Sequence, residues 1–149
     1  MTELLMFVAV FAAAMFTGAA VYINVVEHPA RLECGTEIAA RQWAPSYRRA
    51  TVMQVSLAFT ATAAGVACWL QENELLWLAG AALIFAVVPF TLLVIMPTNK
   101  RLLDPARDLA SPETATLLVA WGRLHAVRSV MSLAATAIFL WLAVVSRTA

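Results

Sequence analysis

Residues 117–145 read LLVAWGRLHAVRSVMSLAATAIFLWLAVV. At 1.5 Å per residue this run is long enough to cross about 30 Å of hydrocarbon. Inside it, Trp121, His125, Arg128 and Ser132 recur at i, i+4, i+7 and i+11, which puts them on one face of a helix. An arginine at the centre of a bilayer-spanning helix costs about 2.5–3.5 kcal/mol on insertion scales. Arg128 is therefore expected to turn into a bundle and find a partner there, or to snorkel to the headgroups.

Three further runs of this kind precede it, at residues 4–26, about 50–70 and 75–96. The 149-residue chain is 62% hydrophobic with a mean hydropathy of +0.81, above the apolar share of soluble domains. In lipid a helix satisfies its own backbone. The expected fold is all-α: a single domain over residues 1–149, a bundle of four transmembrane helices at about 4–26, 50–70, 75–96 and 117–145. A 13% charged fraction and a net charge of +1 give no reason to invoke nucleic acid.

The connections are unequal. Residues 71–74 make a tight hairpin, while 27–49 and 98–116 read as long connections. Pro29 and Pro97 stop or redirect the helices before them, and Pro89 bends the third. Ser46 is expected to cap the second helix, and Ser111-Pro112-Glu113 is a cap residue followed by proline at the first helical position. Arg31, Arg41, Arg48, Arg49, Lys100, Arg101, Arg107, Arg123 and Arg128 fall at one side, against Arg147 alone at the other. The positive-inside rule then places both long connections in the cytoplasm and both termini outside, in an inner or plasma membrane. The opening Met1-Thr2-Glu3 lacks the basic segment of a cleavable signal, so the first run reads as a retained helix. Cys34 and Cys68 fall near opposite faces, too far apart for a disulfide.

The halves resemble each other faintly. Pro29-Ala30-Arg31-Leu32 resembles Asn99-Lys100-Arg101-Leu102, and Trp43 with Tyr47 resembles Trp121 with His125. Two helical hairpins repeated in parallel would produce this, as would chance in apolar sequence.

The polar residues meet at one depth. Asn24, Glu27, His28 and Arg31 share a face of the first helix if it continues that far; Tyr47 and Gln54 flank the start of the second; Asn99 closes the third. Glu27 is the expected counter-ion of Arg128. His28, His125 and Glu27 form a candidate metal set suited to iron or copper, and two histidines alone can serve copper or, less readily, an axial haem pair. A cofactor-free site is also open, with His125 or His28 as general base and Arg128 stabilising an oxyanion or enolate. Trp43, Tyr47 and Trp121 fit an interfacial belt but share the polar face, so they and Gln54 are candidates for substrate contact.

At these residues the chain resembles the DUF1772 family of integral membrane proteins, which includes the anthrone oxygenase-like proteins of polyketide pathways. The resemblance rests on Glu27-His28-Pro29, on Trp43 with Tyr47, on Pro97-x-Asn99 and on Trp121-x-x-x-His125-x-x-Arg128. It implies a four-helix membrane protein and, for some members, oxygenation of an activated aromatic ketone. Carried over residue by residue, it implies a site of Glu27, His28, Asn99, Trp121, His125 and Arg128, then Tyr47 and Gln54. The expected function is a membrane oxygenase acting on a hydrophobic small molecule that arrives from the bilayer. The alternatives are a binding or transport module, which would have to form a homo-oligomer, and an accessory subunit whose polar layer only locks the bundle.

Overall fold

A computed structural model describes residues 2–145. Arg147, the basic residue assigned to the far side, lies outside the described residues. Four helices are long and apolar enough to cross a membrane: α1 (Thr2–Glu33), α2 (Thr36–Glu72), α3 (Leu75–Leu102) and α4 (Pro112–Val145). No strand occurs among the described residues. The chain is an integral membrane protein of the all-α class. α1 and α3 each pack against both α2 and α4, so α1 stands diagonally across from α3. The lipid-facing sides carry Phe7, Phe11, Val52, Leu93, Val130 and Leu133, all exposed in the isolated chain.

The apolar runs are the inner parts of longer helices. The segment expected as a 27–49 connection is helical except for the turn at Cys34 and Gly35, where Gly35 takes φ +89°. Residues 36–49 continue straight into α2, because Ala39, Ala40 and Trp43 supply a buried face. Ser46 consequently lies inside a helix and caps nothing. The third connection shrinks to residues 103–111, folded by Asp104 and Asp108 side chains that accept from the backbone N–H groups of Ala106 and Ala110. Ser111 does cap α4, accepting from Thr114 N at 3.2 Å. Glu113, in the first turn of α4, pairs with Arg101 and Arg107 and ties that connection down.

α1 and α3 both widen into a π turn near this end, at Ile23–Glu27 and Thr91–Ile95. In each, the residue before a proline donates its N–H five residues back: His28 to Ile23 and Met96 to Thr91. A proline has no N–H, and its ring crowds the carbonyl four residues earlier. The wider turn relieves both problems, so Pro29 and Pro97 redirect their helices without ending them. Aligning the two turns pairs Pro29 with Pro97 and Arg31 with Asn99, two residues away from the register the sequence suggested.

The core is in two parts. An alanine-rich cluster around Phe16, Trp77 and Phe139 fills the membrane interior. A second cluster, with Ile23, Trp43, Ile95, Leu102, Leu118 and Trp121, fills the end of the bundle nearest the Cys34–Gly35 turn. The polar layer lies between them. Along α4, His125 is about 30 Å from Val145, close to one hydrocarbon thickness.

Candidate functional site

α4 presents the face its spacing predicts. Trp121, His125, Arg128 and Ser132 are all buried. Arg128 does not snorkel. Its Nη2 donates to Gln54 Oε1 at 2.8 Å, and its guanidinium lies over the Phe16 ring, 5.7 Å from the centroid.

The face expected on α1 divides between two neighbours. Asn24 and His28 turn to α4, while Glu27 and Arg31 turn to α2. The π turn, which begins at Ile23, alters the angular spacing of the residues within it. Glu27 Oε1 accepts from Arg31 Nη2 at 2.5 Å, from Gln42 Nε2 at 3.0 Å and from Ser46 Oγ at 3.0 Å. Glu27 is thus the counter-ion of Arg31, four residues along its own helix, and not of Arg128. Arg128 has no ion pair among the described residues.

The two histidines pack on one indole. The Trp121 ring is 4.9 Å from His28 and 4.8 Å from His125, and it meets Trp43 edge-on at 5.7 Å; Trp43 stacks on Tyr47 at 5.1 Å. Trp43 and Trp121 are therefore buried rather than members of an interfacial belt, as is Trp77 at the other end. His28 Nε2 bonds the Leu118 carbonyl at 2.9 Å. A Cβ at Gly122 would stand 2.7 Å from His28 Cδ2, so a glycine is needed there for the ring to lie against α4. His125 Nδ1 bonds Asn24 Oδ1 at 2.7 Å.

A metal held by His28, His125 and Glu27 does not fit this arrangement. Glu27 Oε1 is engaged by three donors on the α2 side, away from the two histidines, which face α4. Among the described residues no three His, Cys, Asp or Glu side chains gather as a metal-binding group.

A closed cleft is lined by Arg31, Trp43, Tyr47, Gln54, Trp121, His125 and Arg128, among others, and its free space is about 10 Å³, room for about one water molecule. Four buried nitrogens on these residues lack a hydrogen-bond partner: Arg31 Nε, Trp43 Nε1, Gln54 Nε2 and Arg128 Nε. Each is a donor. His125 Nε2 is likewise unbonded among the described residues. The cleft thus unites His125, Arg128, Trp121, Trp43, Tyr47 and Gln54 from the sequence-based set. It does not include Asn99, which is wholly buried with neither side-chain atom bonded, nor Glu27, which lines a groove of about 510 Å³ between α1 and α2. Cleft and groove share Ile23, Ser46 and Ala50 as a common wall.

Sequence reasoning set Asn24 and Arg31 on the polar face of the first helix by their spacing but left both out of the candidate site.

Fold and site define a class: a four-helix integral membrane protein with a polar cleft sealed inside one end of the bundle. The family model described as anthrone oxygenase matches residues 43–138, and the chain belongs to that family, the DUF1772 proteins. An anthrone oxygenase of Claviceps purpurea (strain 20.1) is 27% identical over 141 residues, covering 85% of this chain and 81% of the relative. The family match takes in every cleft residue contributed by α2 and α4, while Asn24, Glu27 and His28 lie before it. No solved structure matches the chain.

Proposed function

We propose that the protein is an oxygenase of hydrophobic, enolisable aromatic ketones of the anthrone kind, working by general-base catalysis at the cleft. The observation that carries this reading is a buried imidazole whose Nε2 bonds to nothing among the described residues, beside a buried guanidinium that has no carboxylate partner. His125 Nε2 takes a proton from the activated carbon of the ketone. The resulting enolate oxygen is held by Arg128, with Gln54 Nε2 and Trp43 Nε1 as further donors, and a low-dielectric site makes each such contact stronger than in water. The electron-rich enolate then reacts with dioxygen. One oxygen atom replaces the two hydrogens of the activated carbon, and the other leaves with them as water. Trp121, Trp43 and Tyr47 give aromatic surface for a flat ring system.

A three-ring ketone does not fit about 10 Å³, so the cleft must open to receive it. The groove between α1 and α2 is the way in from the bilayer, through the wall of Ile23, Ser46 and Ala50. Asn99 lies outside the cleft, and this reading gives it no contact with substrate. The excess of basic residues at this end supports a cytoplasmic site, and a thiol reagent applied from outside is expected to label Glu72→Cys.

Purified protein in detergent is expected to consume oxygen and form quinone from anthrone in equal amounts. His125→Ala should lower turnover by about 10²–10⁴-fold while remaining folded. Anthrone that binds without oxygen consumption would instead make the chain a binding module, and full turnover in His125→Ala would end the base assignment.

A further inference from the structure

The imidazole at the centre of this reading is held by residues that no motif singled out. Asn24 Nδ2 donates to the Gly122 carbonyl at 2.9 Å. A carbonyl only accepts, so the amide is oriented with its nitrogen toward Gly122 and its oxygen toward His125. Asn24 Oδ1 lies 2.7 Å from His125 Nδ1 and 2.6 Å from Ser129 Oγ. An amide oxygen has only lone pairs to offer, so Nδ1 carries the proton, and the neutral ring is left with its lone pair on Nε2. Gly122, His125 and Ser129 follow each other at intervals of three and four on α4, so one asparagine bonds to three positions along one face of the partner helix.

His28 is set the opposite way. Its Nε2 faces the Leu118 carbonyl, so that nitrogen carries the proton, and its buried Nδ1 has no partner.

We infer that Asn24 is a positioning residue for His125: it fixes the Nδ1–H tautomer and thereby presents the Nε2 lone pair to the cleft, with Ser129 as the second donor that holds the amide in place. The tautomer follows from geometry alone; its catalytic consequence rests on the base assignment above. The π turn that begins at Ile23 places Asn24 at this point, so the irregularity in α1 becomes part of the site.

The test uses the whole protein in detergent micelles, labelled with nitrogen-15 histidine. Only two histidines are present, and His28→Gln assigns them. Long-range proton–nitrogen correlations should find Nδ1–H at His125 and Nε2–H at His28 in the wild type. An Nε2–H or doubly protonated His125 overturns the proposal without any activity measurement. Asn24→Leu should mix the His125 tautomers and lower kcat by about 10–100-fold, in the range seen when partners that orient a functional histidine are removed, with KM little changed. Asn24→Asp keeps an acceptor and should keep the tautomer. Asn24→Leu with an unchanged tautomer overturns the proposal as well. Should Asn24→Leu not fold, Ser129→Ala is the softer variant: it is expected to leave the tautomer in place and cost a few-fold in kcat, and loss of the tautomer there would move the positioning role from Asn24 to Ser129. If His125→Ala keeps full turnover while the wild-type tautomers are as stated, the chemistry fails and the assignment of Asn24 stands.

Discussion

Toward Val145 the bundle is closed by alanines and glycines. A Cβ added at Gly80 would lie 2.5 Å from Phe139 Cε1, one at Gly65 would lie 2.7 Å from Phe139 Cζ, and Trp77 stacks on the same ring at 5.4 Å. Toward Cys34 the helices are joined by side-chain hydrogen bonds, and several buried donors bond to nothing. Lipid gives little hydrophobic drive for helices to associate, so close packing of small residues is what holds a transmembrane bundle together. The first end follows that rule. The second departs from it, gathering all but one (Trp69 Nε1) of the unpaired buried side-chain polar atoms among the described residues, which stability alone would remove. The comparison separates the part of the molecule that makes the bundle from the part that uses it.

The largest effect that can break this comparison is at Arg128. Arg128→Gln removes the buried cation and is expected to lower kcat by about 10²–10³-fold, the loss typical of an oxyanion donor. The same change removes the cost of a charge at membrane depth, so resistance to thermal unfolding in detergent should stay level or rise. Loss of both together would place Arg128 in the packing and not in the chemistry.

Gly80→Ala is the converse. Phe139 is fully buried and its ring stands in the way, so the added methyl is expected to cost about 1–3 kcal/mol as overpacking. Phe139→Leu should relieve it in the double variant, and the protein that remains folded should turn over normally. Measuring unfolding and initial rates on the same samples separates the two outcomes.

Gly122→Ala tests the boundary. The methyl would press on the His28 ring, which lies against Trp121. Since Trp121 also touches His125, a loss of activity of about 10-fold, from slight misplacement, is expected with a smaller change in stability.

Much of this was readable beforehand, for definite reasons. Four helices follow from four apolar runs, and the inward face of α4 follows because Trp121, His125, Arg128 and Ser132 interrupt such a run at helical intervals. The extension of α2 from Thr36 was hidden by its charges and by Pro45, since a helix outside lipid keeps only a narrow apolar stripe. The fate of α1 was hidden at Pro29. A proline that ends a helix and one that follows a π turn look alike in sequence, and the difference decides which neighbour Asn24, Glu27, His28 and Arg31 meet. That is why the α4 half of the site was legible and the α1 half was assigned to the wrong pairs.

Glu27→Gln gives the smallest expected effect and is the sharpest check on that last point. The carboxylate takes three donors through one oxygen, is partly exposed, and lines the groove outside the cleft. An amide oxygen can still accept from Ser46 and Gln42, while the ion pair with Arg31 is lost. Because one partner remains open to the surroundings, the cost should be about 1 kcal/mol or less, and kcat should stay within about 2-fold of wild type, a barrier change of under 0.5 kcal/mol. A collapse of kcat in a well-folded Glu27→Gln protein would mean that the carboxylate reaches the reacting atoms after all. The groove would then be part of the active site, and the division between a packing end and a chemical end would have to be redrawn to include the outer face of α1.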